Sequence, residues 1–401
     1  MSYQKPSLLH YRVAQLVSGI VATVMFRRKF LRNEIKGKKG PFVVIANHQT
    51  ALDFVNLIGA TAQPMSFVIS RSFFSTLPVK GFLEKMGVIP KQQFQTSVKD
   101  LKKIKSVIDA GQPLVIYPAG LMCEDGLSTP IPAATYKFLK WLDADVYVAR
   151  CTGTYFVKPK WAKKMRPGKT QMDIYRLFTR EELGEASMEL IREKTEEALL
   201  FDAYQEQETL RIRYWGGENM EGLEHVLYRC PHCGSEHKMI IRDGNIICCT
   251  QCGYAQHSDD MGFLRNCGGI GPEIRYVSDW SRQIYEHMRT KLQQEPMLTL
   301  RCPATIQMVD DKKCKFVDVG QATLSLSREG FHLQGTLNAE ATDIRIPIAG
   351  IPSLPFKPGK YVEIQQGNTI YRCVLDDGAL AMEYINMVKL FYELEKEPVH
   401  A

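Results

Sequence analysis

Four short apolar runs, 42–47, 66–70, 113–118 and 145–151, recur along the first half of the chain. Between them, near 51–62, 71–86, 97–111 and 133–142, apolar residues return every three or four positions. A continuous apolar run of about four to eight residues suits a strand buried on both faces, and three-to-four spacing suits a helix packed by one face. Their alternation predicts an α/β layer with a mostly parallel sheet flanked by helices, in which pocket residues lie at the carboxyl ends of strands. A further strand is expected at 171–178. A charged helix follows at about 180–200, opened by Thr179 as N-cap with Glu182 three residues on. The layer closes near residue 210, giving a domain over 41–210.

The pattern then changes. A helix is expected over 277–295, ending at Pro296. From Thr299 onward, β-type runs at 314–318, 322–326, 331–334, 343–348, 361–365 and 369–375 are broken by Gly, Pro and Asp turns, and a helix from Gly378 to Leu394 closes the chain. Several antiparallel strands with one terminal helix predict a small β domain over 299–397, like a pleckstrin-homology barrel. A β-sandwich is the alternative.

With 401 residues the chain exceeds one ordinary core, and 45% hydrophobic with 24% charged residues is a soluble, globular composition. The net charge of +7 is concentrated: residues 1–40 hold Lys5, Arg12, Arg27, Arg28, Lys29, Arg32, Lys36, Lys38 and Lys39 against Glu34. The residues between these cations are aliphatic, which suits an anionic lipid surface better than nucleic acid. Val13, Leu16, Val17, Ile20, Val21 and Val24 follow helical spacing, with Gln15, Ser18 and Thr23 interposed. Only 14 uncharged residues separate Arg12 from Arg27, about 21 Å of helix against the roughly 30 Å of a bilayer core. Residues 1–40 are therefore expected to associate with a membrane along its surface, peripherally and on its cytoplasmic face. Packing of the same stripe on the protein's own core is the alternative. Arg-Arg-Lys after the apolar run argues against a signal peptide.

Of 11 cysteines, five fall between residues 230 and 252. Cys230-Pro-His-Cys233-Gly and Cys249-Thr-Gln-Cys252-Gly are two C-x2-C knuckles, the pattern of a four-thiolate structural zinc ribbon, expected over 225–257. Such a site has no open position for catalysis. Arg229, Lys238 and Arg242 are offset there by Glu224, Glu236 and Asp243, so no nucleic-acid partner is expected.

The candidate chemistry lies after the first apolar run, where Asn47-His48 is followed by Asp53. An imidazole oriented by a carboxylate is a ready base for a hydroxyl. The flat alternative is a His and an Asp that only cap a helix beginning near Thr50. The segment resembles the first block, NHxxxxD, of the glycerolipid acyltransferases, the lysophosphatidic acid acyltransferase family. Gly87-Val88-Ile89-Pro90 resembles its second block, Leu114–Gly120 its third, usually FPEGTRS, and Val146–Arg150 with Gly153-Thr154 its fourth; the likeness covers roughly residues 10–205. It implies His48 as general base, Asp53 as its orienting partner, and Asn47, Pro118 and Gly120 near the substrate. The expected substrates are a lysophospholipid and an acyl thioester, from acyl-CoA or acyl carrier protein.

Two departures bear on the acceptor: Ala119 stands where the family carries Glu, and Gln93 where Arg is usual. Lys91 is the candidate replacement cation. Lys158 and Lys160, in a basic loop running to Lys169, are candidates for acyl-CoA phosphates or lipid headgroups, with a solvated charge run as the alternative. The leading reading is a membrane-associated acyltransferase. The competing one is a catalytically impaired lipid-binding or scaffold protein whose zinc and β modules bind a protein partner, of unknown identity.

Overall fold

The computed structural model describes residues 4–93, 97–216, 220–310 and 312–395. These form two compact units. The first holds the chain through Lys160, the stretch from Lys164 to Gly216, and Asp260–Gly262; the second holds Trp161–Lys163, Met220–Asp259 and the chain from Phe263.

The first unit is built on seven strands: β1 (Lys29–Asn33), β2 (Phe42–Ala46), β3 (Ser66–Ser70), β4 (Ile89–Lys91), β5 (Leu114–Ile116), β6 (Asp145–Thr152) and β7 (Gln171–Phe178). They lie in the order β1-β7-β6-β2-β5-β3-β4. Every pairing is parallel except β6 with β7. All five residues of β2 are buried. Phe42, Val44 and Ala46 enter one core layer, Val43 and Ile45 the other, as a strand covered on both faces requires.

The helical expectations hold in place but not in length. The helix expected over 71–86 is two, Arg71–Ser75 and Lys80–Lys85, interrupted around Pro78, which lacks the N–H to continue the first. The helix expected over 180–200 is also two, Arg180–Glu185 and Met188–Leu199. Thr179 and Glu182 form the capping box, and Ser187 then caps the second helix by accepting from Leu190 N–H. The segment 51–62 keeps only Asp53–Leu57 as helix. Residues 29–33, read as part of a basic tail, instead form edge strand β1, with Arg32 bonded to both Asp173 oxygens at 2.8 and 2.9 Å.

Helix Leu8–Val24 precedes β1, and its face toward the unit is Tyr11, Ala14, Ser18 and Ala22. Gln15 anchors it by donating to the carbonyls of Ile58 and Thr61 at 3.1 and 2.9 Å. Its aliphatic stripe faces outward: Leu16, Ile20 and Val24 are 68%, 58% and 60% exposed, with Leu9 beside them. Packing of that stripe on the protein's own core is thereby contradicted. Among the described residues, no helix is long and apolar enough to cross a membrane.

In the second unit, β8 (Met239–Arg242), β9 (Ile246–Cys249), β10 (Ala255–Ser258) and β11 (Leu264–Asn266) form an antiparallel sheet. Helix Val277–Gln294 follows. Seven more strands, β12 (Leu300–Asp310), β13 (Lys315–Ser327), β14 (Gly330–Leu337), β15 (Glu340–Pro347), β16 (Phe356–Lys357), β17 (Tyr361–Gln366) and β18 (Thr369–Leu375), are antiparallel throughout. Their order is β15-β14-β13-β12-β18-β17-β16. Strand β12 was not foreseen, and β13 joins two expected runs into one. Helix Ala381–Leu394 buries ten side chains, a 3₁₀ turn over Gly378–Leu380 having replaced its expected start.

Candidate active site and metal centre

Strand β2 ends at Ala46, in the middle of the sheet, and the chain turns there into the loop of Asn47 to Asp53. Asp53 Oδ2 accepts three hydrogen bonds, from His48 Nδ1 at 2.9 Å and from the backbone N–H groups of Gln49 and Thr50 at 2.7 and 2.9 Å. The carboxylate thus gathers the loop backward rather than capping the helix it begins, whose N-cap, Leu52, makes no side-chain cap bond. Asp53 has a wholly buried side chain, while that of His48 is 20% exposed. With Nδ1–H directed at Asp53, the lone pair of His48 lies on Nε2, the arrangement a general base needs.

The surrounding groups hold this loop. Asn47 is buried, and its carboxamide closes a two-way pair with Cys151 of β6, Nδ2 to O and N to Oδ1, each 2.8 Å. Gln49, which the sequence reading passed over, is fully buried and clamps the same region. It donates to the Cys151 carbonyl at 3.1 Å and accepts from Thr154 Oγ1 and Tyr155 N–H at 2.7 and 2.9 Å. No spacing rule marks a Gln for that role.

The remaining expected residues come together in part. Pro118 is buried after β5, and the Gly120 N–H closes its turn onto the Tyr117 carbonyl at 3.0 Å, so that amide serves the loop itself. Gln93 donates to the Gly120 carbonyl, joining the second and third blocks. Cys123 N–H donates to the His48 carbonyl at 3.3 Å, tying the third-block loop to the first. Lys91 is half-buried; its ammonium donates to the Gln92 carbonyl at 3.0 Å, and burial pulls its pKa down against the opposing charge of Asp100. Lys158 and Lys160 are half-buried beyond the short helix Thr154–Val157. The loop is not wholly a solvated run, since Arg166 within it is buried and donates to the Phe156 carbonyl.

In the second unit the thiols of Cys230, Cys233, Cys249 and Cys252 all lie within 4.8 Å of one another. Cys230 and Cys252 are 3.7 Å apart at sulfur, Cys233 and Cys249 3.8 Å. A tetrahedral zinc with Zn–S bonds of about 2.3 Å has edges of about 3.8 Å, so this donor set fits that ion. Both knuckles turn alike. The N–H groups of Gly234 and Gly253 donate to the carbonyls of Cys230 and Cys249, each at 3.0 Å. Both glycines are left-handed, at φ +74° and +78°, where a side chain would be strained. Cys248 lies outside this cluster.

Comparison with known proteins bears on the first unit. No curated protein matches the chain. Among solved structures it is similar to the 1-acyl-sn-glycerophosphate (LPA) acyltransferase PlsC from Thermotoga maritima, at 20% identity and a TM-score of 0.41, over 47% of this chain and 76% of that one. Residues 27–160 match the family model described as Acyltransferase. That stretch contains β1 to β6 and the whole loop of His48 and Asp53, and through it the chain carries a domain of the acyltransferase family.

Proposed function

We propose that the protein moves a fatty acyl group from an acyl thioester to the hydroxyl of a lysophospholipid of the 1-acyl-glycerol-3-phosphate kind, with His48 as general base. The observation that carries this reading is the bond between His48 Nδ1 and Asp53 Oδ2, 2.9 Å long, at the carboxyl end of a central strand in the family-matched stretch. The acceptor hydroxyl is a poor nucleophile until its proton leaves. His48 Nε2 takes that proton as the oxygen attacks the thioester carbonyl, and Asp53 stabilises the imidazolium that forms. When the tetrahedral intermediate collapses, the C–S bond breaks and the imidazolium returns the proton to the departing thiolate. No acyl-enzyme is needed. Asn47 and Gln49 keep the loop in register, and Lys91, Pro118, Gly120, Lys158 and Lys160 are the residues we assign to the substrates. With Ala119 and Gln93 in place of the family's Glu and Arg, the acceptor's phosphate is held less tightly than that pattern implies.

The same reading places the enzyme on the cytoplasmic face of a membrane. The outward stripe of helix Leu8–Val24, flanked by the cations of residues 1–40, supports apolar insertion combined with attraction to anionic lipid. The four cysteines hold a structural zinc that takes no part in the chemical step. The β domain, seven antiparallel strands followed by one helix, is of the pleckstrin-homology kind. The test is acyl transfer by His48→Ala, which should fall by about 10²–10⁴ with the fold intact. A variant that keeps most of the wild-type rate excludes the mechanism.

A further inference from the structure

Tyr117 follows β5 directly, and its ring stacks on that of His48, centroids 4.4 Å apart and planes 29° from parallel. Such contact restrains the imidazole from turning away from Asp53. The Tyr117 hydroxyl is buried and has no hydrogen-bond partner among the described residues. The same holds for Asp53 Oδ1, the oxygen that His48 does not use, and for both polar atoms of the Asn56 carboxamide. Asp53 and Asn56 stand three residues apart on one short helix, so their side chains share a face. The Asp53 charge also acts on the Tyr117 hydroxyl, adding to burial in holding its proton on. Buried polar groups left without a protein partner are ordinarily satisfied by ordered water, because each carries a desolvation cost that a bridging molecule removes.

We propose that Tyr117 is a positioning residue for the base: its ring fixes the plane of His48, and its hydroxyl donates to Asp53 Oδ1 through ordered water shared with Asn56. With both oxygens engaged, the carboxylate cannot rotate away from the imidazole. The titratable and charged groups around this patch include Asp53, Cys151 on β6 with Glu206 beyond it, Cys123 in the loop after β5 with Asp125 and Glu124 beside it, and Arg28. Burial keeps both thiols protonated, and the Arg28 guanidinium donates to the Asn56 carbonyl at 2.5 Å.

The inference rests on the His48–Asp53 reading, and its test separates the two. Full-length protein labelled at histidine is followed by NMR against pH, with His48→Ala to identify the resonance, and acyl transfer from acyl-CoA is measured in parallel. Tyr117→Phe keeps the ring and loses the hydroxyl. Relieved of a donor, the Asp53 carboxylate presents more charge to the imidazolium, so the His48 midpoint should move upward relative to the wild type. In transfer, kcat should fall about tenfold, equivalent to about 1.4 kcal/mol, with KM unchanged. Tyr117→Leu, which also removes the stacking, should lower kcat further. An unchanged His48 titration in a folded Tyr117→Phe protein overturns the proposal, as does a rise in KM at constant kcat. A His48→Ala protein that still transfers acyl groups counts against the base itself, and the NMR result continues to decide the role of Tyr117.

Discussion

At the scale of the residue, the carboxylate of Asp53 does more than orient one ring. Its Oδ2 collects His48 and two backbone amides. Asp53→Asn keeps the shape but must either face three donors with an NH2 group or offer a neutral oxygen that stabilises imidazolium poorly. Its kcat should therefore fall nearly as far as that of His48→Ala, within about 10²–10⁴, and the lost charged hydrogen bonds should lower the melting temperature as well. His48 and Asp53 are legible in the sequence because an apolar strand delivers them into a polar loop. Gln49 is not, since its role depends on Cys151, Thr154 and Tyr155, more than 100 positions away, coming to lie beside it. Asn47, expected at the substrate, has its carboxamide bonded both ways to the Cys151 backbone, a role that likewise depends on a residue distant in sequence.

At the scale of the element, helix Leu8–Val24 divides its faces in an unusual way, with small and polar residues toward the protein and Leu and Ile outward. Helical spacing alone predicts the stripe but not the direction it faces, because interior and lipid interface reward the same residues. Replacing Leu9, Leu16 and Ile20 by Ser should leave the fold intact, as these side chains are more than half exposed, and should abolish flotation with anionic vesicles. Raised salt should release the unaltered protein in part. Strand β1 escaped notice because it is short, its Lys29, Arg32 and Asn33 are polar, its Leu31 is exposed, and Phe30 is the single apolar residue packed on the core. Strand β12 escaped because the middle two of its four buried positions, Cys302 and Ala304, are small and Pro303 sits between them. His237 and Glu383, hydrogen-bonded to each other, join the cysteine module to helix Ala381–Leu394. Burial opposes the charge on His237, but the bond and charge of Glu383 raise its pKa above the ordinary 6.5. A raised pKa contributes stability that is complete below the ordinary value and lost as pH climbs through the folded one. The thermal midpoint of the second unit should accordingly drop over that window, and Glu383→Gln should flatten the drop.

At the scale of the whole molecule, the chain pairs a unit carrying candidate chemistry with one carrying a candidate metal. For the cysteine module, metal binding is folding free energy, since about 30 residues cannot build a sufficient core of their own. Elemental analysis should find one zinc per chain, lost in Cys233→Ser with increased hydrogen exchange over 225–257. Transfer per folded molecule should then decline modestly. Loss of zinc without loss of protection would remove the structural role. The spacing of the cysteines made this site legible to the residue, whereas the β domain was legible only as a series of strands whose pairing depends on contacts distant in sequence. The most direct measurement is transfer of a labelled acyl group from acyl-CoA to a panel of lysophospholipids by the full-length protein and by His48→Ala. The account predicts labelled diacyl product from the wild type and a rate lower by at least about 10² from the variant. Equal rates from the two proteins, or no product from the folded, lipid-bound wild type with any acceptor or thioester donor, would contradict it.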